Sequence, residues 1–258
     1  MATLPARITG HRLVVLRARK EARAVLERES AKGYAKGWRL LRAKLPTVAQ
    51  KVRKGQDYGE LLDPTVLRAI ERAVEDGLES GAKQAAAILA TGESEWFANA
   101  GHEFTWQSDE VYARYLKNFE ANVPGGFKNV SQTVSDAIHR EVMDWAGDPA
   151  NPGQQALETS LSQWFAPYRS QLIATTEGTR LCTAEQQLVG ETLGSTQGEF
   201  DTSNDSAVCS ECIAAAEGNP YTIDGTEPQP PLHPGDRCEW VVIPAGMEDE
   251  ANPPEGGE

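Results

Sequence analysis

Three thiols and one imidazole carry the clearest chemistry in this chain. Cys209, Cys212, His233 and Cys238 fall within 30 residues of a 258-residue sequence that holds only four cysteines. Cys-x2-Cys places two sulfurs on one tight turn, and a distant second pair, His233 and Cys238, can complete a tetrahedron. Thiolate and imidazole are ligands preferred by zinc, a borderline-soft ion. The pattern points to a closed Cys3His structural zinc site. A disulfide, Cys209–Cys212 or one of longer range, is the competing use of the same sulfurs. With few cysteines, and an apolar run near the start (Leu13 to Leu16) too short for a signal peptide, a reducing cytoplasm is expected. That setting favours thiolate–metal chemistry.

The elements around this cluster are few. Tyr221-Thr222-Ile223 and Trp240 to Ile243 are the strand candidates, and Gly198 to Ala207 has the polar, turn-rich texture of a hinge. So small a unit buries little apolar surface, and a metal staple supplying about 10 kcal/mol or more of folding free energy is the usual remedy.

Everything upstream, to about residue 197, has helical periodicity. Leu13, Leu16 and Lys20, then Trp38, Leu41 and Leu45, give helical spacing in two pieces; Gly33 and Gly37 weaken the join and Pro46 marks a break. Asp63-Pro64 is a helix start, followed by a stripe of Leu67, Ile70, Val74, Leu78, Ala85 and Leu89, with Gly92 as its stop. Ser108 caps a segment carrying Val111, Tyr115 and Phe119, broken at Pro124-Gly125-Gly126. Further stripes run through Val130, Val134, Ile138, Val142 and Trp145, and through Leu157, Leu161, Trp164 and Phe165. The last continues through Tyr168, Leu172, Thr175, Thr179 and Cys182.

The expected fold is mainly α: an irregular helical bundle, then a small zinc-stapled α+β C-terminal module and a disordered acidic tail. The expected segments are a basic N-terminal helical arm over 1–54, a helical domain over 55–197, the Cys/His module over 198–245 and the tail over 246–258.

The cysteine region also carries a family likeness. Pro230-Pro231-Leu232-His233-Pro234-Gly235-Asp236-Arg237-Cys238, preceded by Cys209-x2-Cys212, resembles the C-terminal signature of phage head morphogenesis proteins, the Mu F-like minor head proteins of tailed phages. Upstream, Thr176-Glu177-Gly178-Thr179-Arg180 resembles that family's Thr-Glu-x-x-Arg element on a helix before the cysteines. The likeness covers about residues 165–243. Asp236 stands where the family often has a first cysteine, so His233 or Asp236 must serve as the fourth ligand; Thr175 stands where Arg is common. The resemblance implies a structural protein of the phage head, located in the head interior or at the portal vertex, and in the host cytoplasm during assembly. Its implied partners are the portal protein and the major capsid or scaffolding protein, and its implied role is procapsid assembly and genome packaging or delivery. Thr176, Glu177, Arg180, Pro234 and Arg237 are then structural motif residues.

Charge is distributed unevenly. Residues 1–54 hold 15 Lys and Arg against three acids, a net of +12, in a chain whose overall net is −13. Arg17, Arg19, Lys20 and Arg23 are candidates for an electrostatic contact with packaged DNA or an acidic partner, against the bland alternative of a solvated helix face. No stretch approaches 18 apolar residues, so no transmembrane helix is expected, and no membrane partner is assigned. No P-loop, G-x-G-x-x-G, H-E-x-x-H or G-x-S-x-G is present, and no catalytic residues are assigned. Two alternatives stand beside the head protein. One is a zinc-dependent hydrolase or transferase using the Cys/His cluster, with Glu211 or Asp236 as base; the other is a nucleic-acid-binding protein acting through its basic arm.

Overall fold

The computed structural model describes residues 6–54, 61–99, 105–148, 150, 153–203, 208–243 and 245. The expected tail over 246–258 lies outside them. Among the described residues eight helices and three strands follow one another: α1 (Ala6–Arg42), α2 (Leu45–Arg53), α3 (Pro64–Asn99), α4 (Ser108–Asn122), α5 (Gly126–Gly147), α6 (Gly153–Trp164), α7 (Pro167–Leu193), β1 (Gln197–Asp201), α8 (Ser210–Glu217), β2 (Tyr221–Thr222) and β3 (Glu239–Ile243). The chain is mainly helical, as expected. Among the described residues no helix is long and apolar enough to cross a membrane.

Two compact units share this chain, and neither is contiguous. One gathers Met1–Leu26, Ala82–Phe119 and Thr175–Glu258; the other gathers Glu27–Gly81 and Glu120–Ala174. They divide the chain differently from the segments 1–54, 55–197 and 198–245, because α1, α3, α4 and α7 each lend residues to both.

The unit over 27–81 and 120–174 is a helical bundle whose core matches the periodic stripes. Leu41, Leu45, Ile70, Val74 and Leu78 are buried with Val134, Ile138, Val142, Leu157 and Leu161. Asp63 starts α3 by accepting the backbone N–H of Thr65 at 2.8 Å, with Pro64 at the first helical position. Pro46 sits near the start of α2, just after the break in the chain. Gly33 does not weaken α1, which runs unbroken through it. A Cβ at Gly33 would lie 2.5 Å from the Ala73 carbonyl oxygen, and one at Gly77 would lie 2.8 Å from that of Glu29. These glycines let two helix backbones touch. Tyr168, placed on an apolar stripe by its spacing, is 73% exposed.

The other unit holds the first part of α1, the end of α3, most of α4, most of α7, the sheet and α8. α3 does not stop at Gly92, where a Cβ would meet that of Ala18 at 2.6 Å; this glycine too is a close helix contact. The three strands form an antiparallel sheet in the order β2-β1-β3, with Gln197 opposite Thr222 and Phe200 opposite Trp240. The expected hinge from Gly198 is therefore, at its start, the central strand. Its polar look misleads because Phe200 is fully buried and Gly198 makes room for the Trp240 ring, 2.4 Å from where a Cβ would sit. Asn219 braces the strand, accepting from the Phe200 N–H at 2.7 Å and donating to its carbonyl at 2.9 Å.

Candidate metal centre

Cys209 is the N-cap of α8. Its sulfur accepts the Cys212 N–H at 3.3 Å, an interaction that draws its pKa below the usual thiol range. One helical turn on, Cys212 points inward and is 1% exposed. The loop 230–238 returns over this turn and brings His233, Asp236 and Cys238 with it. Two triads meet at Cys212, one with Cys209 and His233, the other with Asp236 and Cys238, and within each the ligand atoms lie within 4.8 Å of one another.

The triad of Cys209, Cys212 and His233 passes a geometric test for a metal, while Cys238 is grouped with Cys212 and Asp236. A tetrahedral zinc with bonds of about 2.3 Å to sulfur and about 2.1 Å to nitrogen holds those atoms about 3.6 Å apart. His233 Nε2 lies 3.2 Å from the Cys209 sulfur and 3.6 Å from that of Cys212. His233 Nδ1 is 3.1 Å from the Pro234 carbonyl oxygen. A proton donated there leaves the Nε2 lone pair facing the sulfurs, the arrangement that orients metal-bound imidazoles. These Cys and His groups are thus close enough to bind a metal. Asp236 is buried and its oxygens accept from the Leu232 and Cys238 N–H groups, both at 2.8 Å, with Oδ1 3.8 Å from the Cys212 sulfur. That carboxylate shapes the loop as much as it faces the sulfurs.

α7 holds the loop from behind. Thr176, Thr179 and Thr183 recur at helical spacing. Thr176 Oγ accepts the Gly235 N–H at 2.8 Å, Thr179 Oγ donates to the Asp236 carbonyl at 2.6 Å, and Thr183 Oγ donates to that of Pro230 at 2.7 Å. On the same helix Glu177 and Arg180 form an ion pair that is largely buried. Glu177 is 4% exposed and also accepts from the Tyr115 hydroxyl at 3.0 Å, while Arg180 lies over the Phe119 ring. Burial raises the Glu177 pKa despite Arg180. Pro234 and Arg237 are exposed on the loop, and Glu211 is exposed on α8. Cys182 stays a buried thiol on α7, its pKa pushed up to about 11 by burial.

The basic candidates on α1 split by direction. Arg17 and Lys20 are exposed. Arg19 is 1% exposed and donates to Glu239 at 2.6 Å and to the Trp240 carbonyl at 3.3 Å, with Glu185 at 3.6 Å. Arg23 is largely buried and meets the other oxygen of Glu239 at 3.2 Å. Arg19 is thereby sealed from a phosphate. Gln186 extends the network, donating to Glu93 at 3.3 Å and to Glu185, and accepting the Val242 N–H at 3.1 Å. Sequence reasoning missed this network: Glu93, Glu185 and Glu239 carry no periodic signal that separates them from solvated acids. Of the histidines outside the cluster, His139 is exposed, while His102 and the His11 side chain lie outside the described positions. No protein-family model, curated protein or solved structure matches this chain.

Proposed function

We propose that this chain is a structural minor head protein of a tailed phage, acting in procapsid assembly and genome packaging or delivery without chemistry of its own. One observation carries the reading. The two segments that hold the resemblance, Thr176 to Arg180 and Pro230 to Cys238, are 50 residues apart at their near ends yet form one hydrogen-bonded assembly through Thr176–Gly235 and Thr179–Asp236. Two motif segments that interlock through hydrogen bonds suit a structural element. In this reading a structural zinc is held by Cys209, Cys212, Cys238 and His233, with Asp236 bonded to the loop around it. Its role is to staple α8 and the returning loop onto α7. Asp236 already accepts two backbone donors, a scaffold role rather than that of a free general base. The partners are the portal protein and the capsid or scaffolding protein, and the location is the head interior or portal vertex.

The decisive experiment is purification of procapsids from the phage that encodes the chain. The protein should co-purify in few copies per head, and heads assembled without it should show packaging or delivery defects. Heads that never contain it would end the assignment. Separately, elemental analysis should find about one zinc per chain. A metal-free protein with its β-sheet and α8 intact would remove the staple.

A further inference from the structure

Residues 31–54 contain eight Lys and Arg and no Asp or Glu, in a protein whose net charge is −13. The structure sorts these cations. Lys32 is held by Glu29 at 2.7 Å and Arg42 by Glu158 at 2.5 Å, while Asp63 lies near enough to Lys51 and Lys44 for their charges to lower its pKa, behind the larger effect of its bonds to Thr65. Lys36, Arg39 and Lys54 are exposed and have no ion-pair partner among the described residues. Lys32, Lys36 and Arg39 are spaced i, i+4, i+7, which sets them on one face of α1, and the neighbouring Ala31, Ala35 and Ala43 leave that face open. Along the axis they span about 10 Å, over which a nucleic-acid duplex presents about six phosphate charges.

Among the described residues the large apolar side chains that stand exposed are Leu16, Leu116, Tyr168 and Ile213, none of them within residues 31–54. A protein interface needs buried apolar or aromatic anchors at its centre. Single-stranded nucleic acid is held by exposed aromatic rings on which bases stack. The tryptophan of this segment, Trp38, packs against Phe165, with ring centroids 5.5 Å apart. Charge without anchors or stacking platforms suits the backbone of a duplex, bound without regard to sequence.

We propose that Lys36 and Arg39 on one face of α1, together with Lys54 just past the end of α2 and Lys44 between the two helices, form a sequence-independent docking surface for double-stranded nucleic acid. This moves the contact away from Arg17, Arg19, Lys20 and Arg23, two of which are spent on Glu239. It stands independently of the head assignment, since duplex binding is measured on the purified chain alone.

The test is fluorescence anisotropy with the full chain and a 30-base-pair duplex of arbitrary sequence. Contact with three or four phosphates gives a log–log salt slope of about −3, so affinity should fall roughly 50- to 100-fold between 50 and 200 mM salt. The variant Lys36→Gln/Arg39→Gln/Lys54→Gln should bind at least tenfold more weakly at 50 mM and lose most of that slope. Lys36→Glu alone should weaken binding by a smaller factor, which keeps the test open if the triple variant misfolds. Arg17→Gln/Lys20→Gln should bind as the parent does. Any of four results overturns the proposal: no duplex binding at 50 mM salt, full affinity in the triple variant, loss in Arg17→Gln/Lys20→Gln instead, or tighter binding to single strands or polyglutamate than to the duplex.

Discussion

Replacing Arg19 by Ala tests whether the basic start of α1 is a surface or a piece of the core. Arg19 is 1% exposed, and its guanidinium satisfies Glu239, the Trp240 carbonyl and, at longer range, Glu185. Burial by itself would disfavour its charge, yet Glu239 and Glu185 hold it firmly protonated. Arg19→Ala strands these carboxylates with Arg23 alone as counter-charge. Removing one partner of a buried ion pair costs about 3–5 kcal/mol, because the other charge stays buried and unpaired. For a chain of this size each kcal/mol moves the melting temperature by about 2–4 °C, so the midpoint should drop by roughly 6–20 °C. One residue along, exposed Lys20→Ala should change stability by no more than about 0.5 kcal/mol. Thermal unfolding followed by circular dichroism at pH 7 and fixed salt reads both. A cycle with Arg19→Met and Glu239→Gln should show a coupling energy of about 1–3 kcal/mol. If Arg19→Ala melts with Lys20→Ala, or the coupling is nil, the buried clamp is wrong and Arg19 returns to the surface.

Burial raises the pKa values of Glu93 and Glu185 above the ordinary carboxylate range, and Glu93 raises that of Glu185 further. The stabilisation tied to their protons is full below the unfolded-state carboxylate pKa and is lost as pH rises through the folded values; melts taken from pH 5 to 9 should therefore decline, and Glu185→Gln should flatten that decline. Thr179→Val removes the donor to the Asp236 carbonyl and, if the proposed zinc is bound, should lower its affinity about 10- to 100-fold in chelator competition, whereas Thr179→Ser should preserve it. Gly33→Ala would stabilise an open helix by about 0.5–1 kcal/mol, but against the Ala73 carbonyl it should instead destabilise by about 1–3 kcal/mol, so the sign of the shift in midpoint decides.

The features legible in the sequence were those with strong local chemistry. The Asp63-Pro64 start, the Val111–Tyr115–Phe119 stripe and the Leu157–Leu161 pair each depend on neighbours within a few residues, and each lies where its spacing puts it. The Cys-x2-Cys turn was readable for the same reason. The glycines were not: Gly33, Gly77 and Gly92 serve contacts with distant backbone, and nothing in the flanking residues separates a helix stop from a helix crossing. β1 escaped notice because Gly198, Glu199 and Asp201 look like a turn until Trp240 is known to cover Gly198. The direction of Arg19 was likewise invisible, since its partner is 220 residues away. Of the cysteine site, the residue types were legible and the threonine ladder behind it was not.

The pairing of Arg19 with Glu239 also bears on the order of synthesis. The bundle over 27–81 and 120–174 has its last residue once position 174 has emerged, whereas the first 26 residues must wait for β3 to supply their counter-charge. During that interval Arg19 has no Glu239 and Gln186 has no Val242 N–H to accept. Truncation near residue 198, which the sequence suggests would trim an appendage, would instead unmake the environment of α1 at the opposite end of the chain. The region around β3 is thus the closing step for a unit that includes the first part of α1, and the emergence of β3 rather than early helix formation sets when that unit can form.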